Sequence, residues 1–169
     1  YLDYGMLESL RDMHGRIFEA AVQRRKADDI KVGAGGIREI EFAVQLFQMI
    51  RGGRDASLRT ASTRAALAAV GELGLLEPER VRELAEAYAF LRRLEHRLQY
   101  YDDQQTQALP RGAEAQALVA DAMDFASWAA LVAALDVHRA RVQSAFEALF
   151  QGGARQDAGE HRFLAALHD

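Results

Sequence analysis

Between two glycine pairs, Gly35-Gly36 and Gly52-Gly53, lies a run from Ile37 to Arg51 that is apolar around most of a helical circumference. Ile37, Ile40, Phe42, Val44, Phe47, Met49 and Ile50 leave few directions in which such a helix could face water. A helix of this kind is stable only when other elements cover it. The run therefore predicts a rod at the centre of a helical bundle, and the rest of the chain must supply its walls. Composition agrees: half of the 169 residues are hydrophobic and there are only two prolines. Alanine and leucine are abundant while β-branched residues are sparse, a mixture that favours helix over strand.

The walls are legible as further periodic segments. Asp3 to Arg25 carries Met6, Leu7, Leu10, Ile17 and Ala21 at helical spacing, with Gly15 as a weak point. Ile30 and Val32 alternate with polar neighbours, which predicts a short extended piece running into the glycine turn Gly33–Gly36. Thr60 or Ser62 can cap a helix through Leu67, Val70 and Leu73 to Gly74. Pro78 suits the first turn of a long helix whose apolar face is Leu84, Tyr88, Leu91, Leu94, Leu98 and Tyr101, ending near Asp103. A polar loop, Gln104 to Gly112, precedes a short helix to Met123. Ser127 then caps a long helix to Phe150 with Trp128, Leu131, Leu135, Val142 and Leu149 on its buried face. These segments predict an all-α bundle of five to six helices, long and antiparallel, with short loops, over residues 1–150. Residues 151–169 read as a linker and the start of a further segment.

Several function classes fail on the residues. The net charge of −4 speaks against a nucleic-acid binder. No apolar run is long enough to span a membrane, and the N-terminus has no signal-peptide pattern. The absence of cysteine excludes disulfide and zinc-finger scaffolds and fits a reducing compartment. A dinucleotide fingerprint starting at Gly33 would need glycine where Arg38 stands, and no phosphate-loop lysine motif is present. Neither Glu-x-x-His nor His-Glu-x-x-His occurs, so no metal site is predicted in this chain.

Two features remain. The Gly35-Gly36 elbow delivers the chain into a helix whose leading N–H groups would accept an anion, with Lys31, Arg38 and Glu39 beside it. The simpler alternative is a tight turn in which the glycines only permit positive φ. Second, Arg38, Glu41, Gln45 and Gln48 form one polar stripe along the central helix. Glu95 interrupts the apolar face of the long helix, flanked by Arg92, Arg93 and Arg97. Buried carboxylates need partners, so Glu41, Gln45, Gln48, Arg93, Glu95 and Arg97 are read as a structural polar network, with Glu41 paired to an arginine of the 92–97 segment. The network either fixes helix register or opens onto a cleft.

Longer words of the sequence resemble a known family. Asp29–Phe42 (DIKVGAGGIREIEF), Gln45–Gln48 (QLFQ), Ile50–Asp55 (IRGGRD), Phe90–Gln99 (FLRRLEHRLQ) and Gln105–Pro110 (QTQALP) are similar to the bifunctional glutamine synthetase adenylyltransferase/adenylyl-removing enzymes. Tyr1–Tyr4 and Ser9–His14 look like that family's entry into the same region. The resemblance implies a helical domain following a nucleotidyltransferase core. The glycine-turn wording resembles the N-terminal half, which removes AMP from a glutamine synthetase tyrosine by phosphorolysis. It implies Mg2+ with ATP, ADP and phosphate as cofactors of the full-length enzyme, glutamine synthetase and the PII signal protein as partners, and a cytoplasmic location. The family's Gly-Ser…Asp-x-Asp metal-binding core has no counterpart here, so its carboxylates are expected upstream of Tyr1. The fragment alone is then expected to bind no cofactor and to be inactive, with Lys31, Gly35, Gly36, Arg38 and Glu39 facing the phosphate or nucleotide. Two alternatives are a docking module for glutamine synthetase or PII, and the equivalent region of PII uridylyltransferase.

Overall fold

The apolar run becomes a helix with the boundaries its flanking glycines dictate: α1 spans Ile37–Arg51. The computed structural model describes residues 28–102 and 107–151. Within them α1 is followed by a single 3-10 turn at Ala56–Leu58 and by four more helices. These are α2 (Thr63–Glu72), α3 (Pro78–Asp102), α4 (Ala113–Ala122) and α5 (Trp128–Gln151). The described residues form an all-α bundle. The predicted helix at Asp3–Arg25 and the 151–169 linker fall on or beyond the edges of the described residues.

The long pair α3 and α5 makes the most extensive helix contact, and α1 packs against α2, α3 and α5. Ile37, Ile40 and Val44 of α1 meet Leu84, Leu91, Leu94 and Leu98 of α3 and Leu131, Leu135 and Val142 of α5 in one buried cluster. Burying a side chain of this size contributes about 1.5–3 kcal/mol. A smaller cluster joins Phe47 to Leu58, Ala69, Val70 and Leu75, seating the 3-10 turn and α2 on the far end of α1. The central position of α1 is therefore as predicted, but its enclosure is not complete. Arg38, Gln45 and Met49 are exposed, Met49 by 52%. One edge of the rod faces water, and the polar stripe lies along it.

The helix ends obey local chemistry. The Ser62 hydroxyl accepts from the Ala65 N–H at 3.3 Å, so Ser62 is the N-cap of α2. Ser62→Ala is expected to cost about 1 kcal/mol in a denaturant melt. Gly74 takes φ +65° after α2, and the Leu75 N–H returns to the Val70 carbonyl at 3.0 Å, a glycine-closed C-terminus. The Ser127 hydroxyl accepts from the Ala130 N–H at the start of α5.

One predicted element is different. Ile30 and Val32 do not form a strand. Asp29 makes a lone antiparallel bridge with Ala108, supported by Ile30 N–H to Gln107 O at 2.9 Å and Leu109 N–H to Asp28 O at 3.0 Å. The Asp29 carboxylate then accepts from the Lys31 and Val32 amides at 2.8 and 3.0 Å. An aspartate that captures the amides two and three residues on turns the chain before a strand can grow.

Candidate functional site

The glycine elbow is a packed joint. Gly33, Gly35 and Gly36 are buried. The amides of Ile37, Arg38 and Glu39 donate to the carbonyls of Ile30, Lys31 and Gly36 at 3.1, 3.0 and 3.2 Å, and the Gly36 amide to Gly33. The leading N–H groups of α1 are thus spent on the preceding turn, which corrects the expectation that they are open to an anion. Glu39 is likewise turned inward: it is 6% exposed and its Oε2 accepts from the Gly35 N–H at 3.1 Å. It closes the joint as an acidic residue in a first helical turn does. Of the residues predicted to face phosphate, Gly35, Gly36 and Glu39 form this joint. Lys31 reaches Glu95 at 3.5 Å, and Arg38 stands exposed on the α1 edge.

Burial pushes the Glu39 carboxyl up to about 7, against the lowering effect of the Gly35 N–H, while the Glu147 charge raises it further and Arg139 lowers it. The native state then holds a proton that the unfolded chain, with its ordinary value of 4.5, gives up. Stability that is full below pH 4.5 is lost as pH rises through 7, by roughly 3 kcal/mol. Glu39→Gln keeps an acceptor for Gly35 and is expected to flatten this slope, leaving the variant more stable than the parent at pH 8. Denaturant melts at a series of pH values check it.

The predicted polar network resolves into four separate arrangements. Glu95, 1% exposed, is held by Arg92 at 2.5 Å and Lys31 at 3.5 Å. Arg93 crosses to Asp124 beyond α4. Gln48 donates to the carbonyls of Leu58 and Thr60 at 2.8 and 2.7 Å, anchoring the 3-10 turn to α1. Gln45 is exposed. Glu41 does meet α3, but through the Tyr88 hydroxyl, which donates to its Oε1 at 3.4 Å, and not through an arginine ion pair. Within the 92–97 segment, Arg92 pairs with the more deeply buried carboxylate Glu95 and Arg93 with Asp124.

Between the exposed edge of α1, the start of α2 and one face of α3 lies a groove of about 680 Å³. Glu41 and Tyr88 line one side, and Ser62, Thr63 and Arg64 the start of α2. Arg92, Arg93, His96 and Arg97 complete it from α3. Spacings of four, 92 to 96 and 93 to 97, place these cationic or N–H-bearing side chains in two adjacent rows on one helical face. Arg64 and Arg97 have no acidic partner among the described residues. The groove brings together Glu41, Arg93 and Arg97 from the predicted network. Sequence reasoning missed Arg64 and the role of Tyr88. The signal available was the Arg92-Arg93…His96-Arg97 pattern opposite a capped helix start. This lining suits phosphate oxygens and is ill suited to a divalent metal. Among the described residues no cluster of three His, Cys, Asp or Glu side chains could hold one, and no helix is long and apolar enough to cross a membrane.

A sequence model of the family described as GlnD PII-uridylyltransferase matches residues 11–150. The chain belongs to this family. Its similar proteins bear the name bifunctional glutamine synthetase adenylyltransferase/adenylyl-removing enzyme. That of Chromobacterium violaceum is 50% identical over 150 residues, covering 89% of this chain and 17% of that protein. The Aromatoleum aromaticum protein is 49% identical over 150 residues, 89% of this chain and 16% of its own length. In Neisseria meningitidis serogroup B the match is 48% over 169 residues, all of this chain and 19% of the relative. The chain thus spans less than a fifth of the curated relatives it matches. Within this match, the adenylyltransferase-like words at residues 29–55 fall on the elbow, α1 and the turn after it, and the word at residues 90–99 falls on α3, whose face lines the groove.

Proposed function

We propose that this chain is the helical domain of an enzyme that adenylylates and deadenylylates a tyrosine of glutamine synthetase, and that it belongs to the deadenylylating, phosphorolytic half. The observation that carries the reading is near-half identity to proteins of that name along almost the whole chain. The domain forms one wall of the active-site cleft. Its exposed α1 edge, with Arg38 one turn from Glu41, supplies positive charge to that wall, while the metal-binding carboxylates belong to another part of the full protein. Mg2+, when bound by those carboxylates, would neutralise charge developing on the transferred phosphoryl group. The residues of this chain orient the phosphate-bearing partner and stabilise its charge. ATP, ADP and phosphate are the small ligands of the whole enzyme, glutamine synthetase and PII its protein partners, and the cytoplasm its location.

In the full-length enzyme Arg38→Ala is expected to slow deadenylylation about tenfold, the loss of one charge-assisted contact, with the thermal midpoint unchanged. Unchanged turnover would remove Arg38 from the cleft. The family match favours a second reading, the corresponding domain of a PII uridylyltransferase. Incubating the full-length protein with labelled ATP or UTP separates the two: label from ATP on glutamine synthetase supports the first, and label from UTP on PII supports the second.

A further inference from the structure

We propose that the groove between α1, the start of α2 and α3 binds a nucleotide, with the phosphate held at Arg64 and Arg97 and a ribose hydroxyl accepted by Glu41. The volume of about 680 Å³ lies in the range of small-molecule sites. Arg92 and Arg93 are occupied by Glu95 and Asp124, whereas Arg64 and Arg97 have no acidic partner among the described residues. Guanidinium forks match phosphate oxygens two at a time. Beside them, Thr63 and Arg64 are the first two residues of α2, and such amides have no acceptor within their own helix. His96 adds an imidazole N–H to the same wall.

Glu41 decides what kind of phosphate compound fits. It is the one carboxylate in the groove lining, held toward Tyr88. An anionic acceptor repels free phosphate and welcomes hydroxyl donors, so the lining as a whole favours a ligand that carries both groups. The inference deepens the proposed function and rests on it only in the choice of ADP as the probe.

The test is titration of the 169-residue protein with ADP, and separately with inorganic phosphate, by calorimetry at low salt. Arg64→Gln and Arg97→Gln are each expected to raise the Kd for ADP about tenfold. Glu41→Gln weakens ADP binding but strengthens that of inorganic phosphate. Arg82→Gln, on an exposed part of α3 outside the groove, leaves both unchanged. Melting curves establish that each variant is folded, as expected for exposed arginines. ADP binding absent at millimolar concentration, or weakened equally by Arg82→Gln, overturns the site. Inorganic phosphate binding as tightly as ADP overturns the nucleotide assignment. Transfer of UMP by the full-length protein would overturn the proposed function while leaving these binding results in place.

Discussion

Gly35→Ala is expected to lower the stability of the bundle by about 4 kcal/mol, a loss that combines left-handed strain with overpacking. Gly35 has φ +67°, where a Cβ crowds its own carbonyl, and the added methyl would also lie 2.6 Å from the Arg139 Cα of α5. The obstacle is backbone, so no side-chain rotation relieves it. Either the elbow opens, breaking the amide contacts to Ile30 and Lys31, or α5 lifts off α1. Gly53→Ala is the control: no atom stands within 4 Å of its Cβ position, and the change is expected to be neutral or slightly stabilising. Urea midpoints with an unchanged slope would report both effects as stability alone.

Phe47→Ala is the second large effect, an expected loss of about 3–5 kcal/mol. The side chain is 1% exposed and fills the small cluster with Leu58, Ala69, Val70 and Leu75. That cluster seats α2, and the start of α2 supplies Ser62, Thr63 and Arg64 to the groove. The cavity should therefore raise hydrogen exchange in α2 and weaken ADP binding as well. Leu131→Ala, in the larger cluster between α3 and α5, is expected to cost a comparable amount of stability while leaving exchange in α2 close to that of the parent. Equal loosening of both regions in the two variants would mean that the clusters act as one cooperative unit.

The helices were legible because their signals are local. Apolar spacing, Ser62, Pro78 and the glycine pairs each act within a turn or two, and the boundaries of α1 fall where Gly36 and Gly52 require. The Ile30–Val32 piece was misread because its alternation is real but too short to compete with the Asp29 side chain, which takes two amides for itself. Of the two readings open for the elbow, the tight turn with Gly35 at positive φ is the one the chain adopts. Unpaired amides at a helix start are a general property, yet here the turn before the helix folds back and satisfies them, and only three-dimensional closure reveals that. The groove is half visible in the sequence: the arginine pattern of α3 is local, but its meeting with Arg64 depends on how α2 seats against α1. Glu41 meets the Tyr88 hydroxyl where an arginine was expected, while Arg92 and Arg93 pair with Glu95 and Asp124.

The contact of Arg139 with the elbow has a consequence for the order of events during synthesis. Its guanidinium donates to the Asp29 carbonyl at 3.1 Å across 110 residues of chain. At ribosomal speeds of roughly 5–20 residues per second, the elbow waits about 5–20 s for this support to emerge. A nascent chain halted before α5 would carry finished helices on an unfastened hinge. The elbow is thus synthesised long before the contact that fastens it.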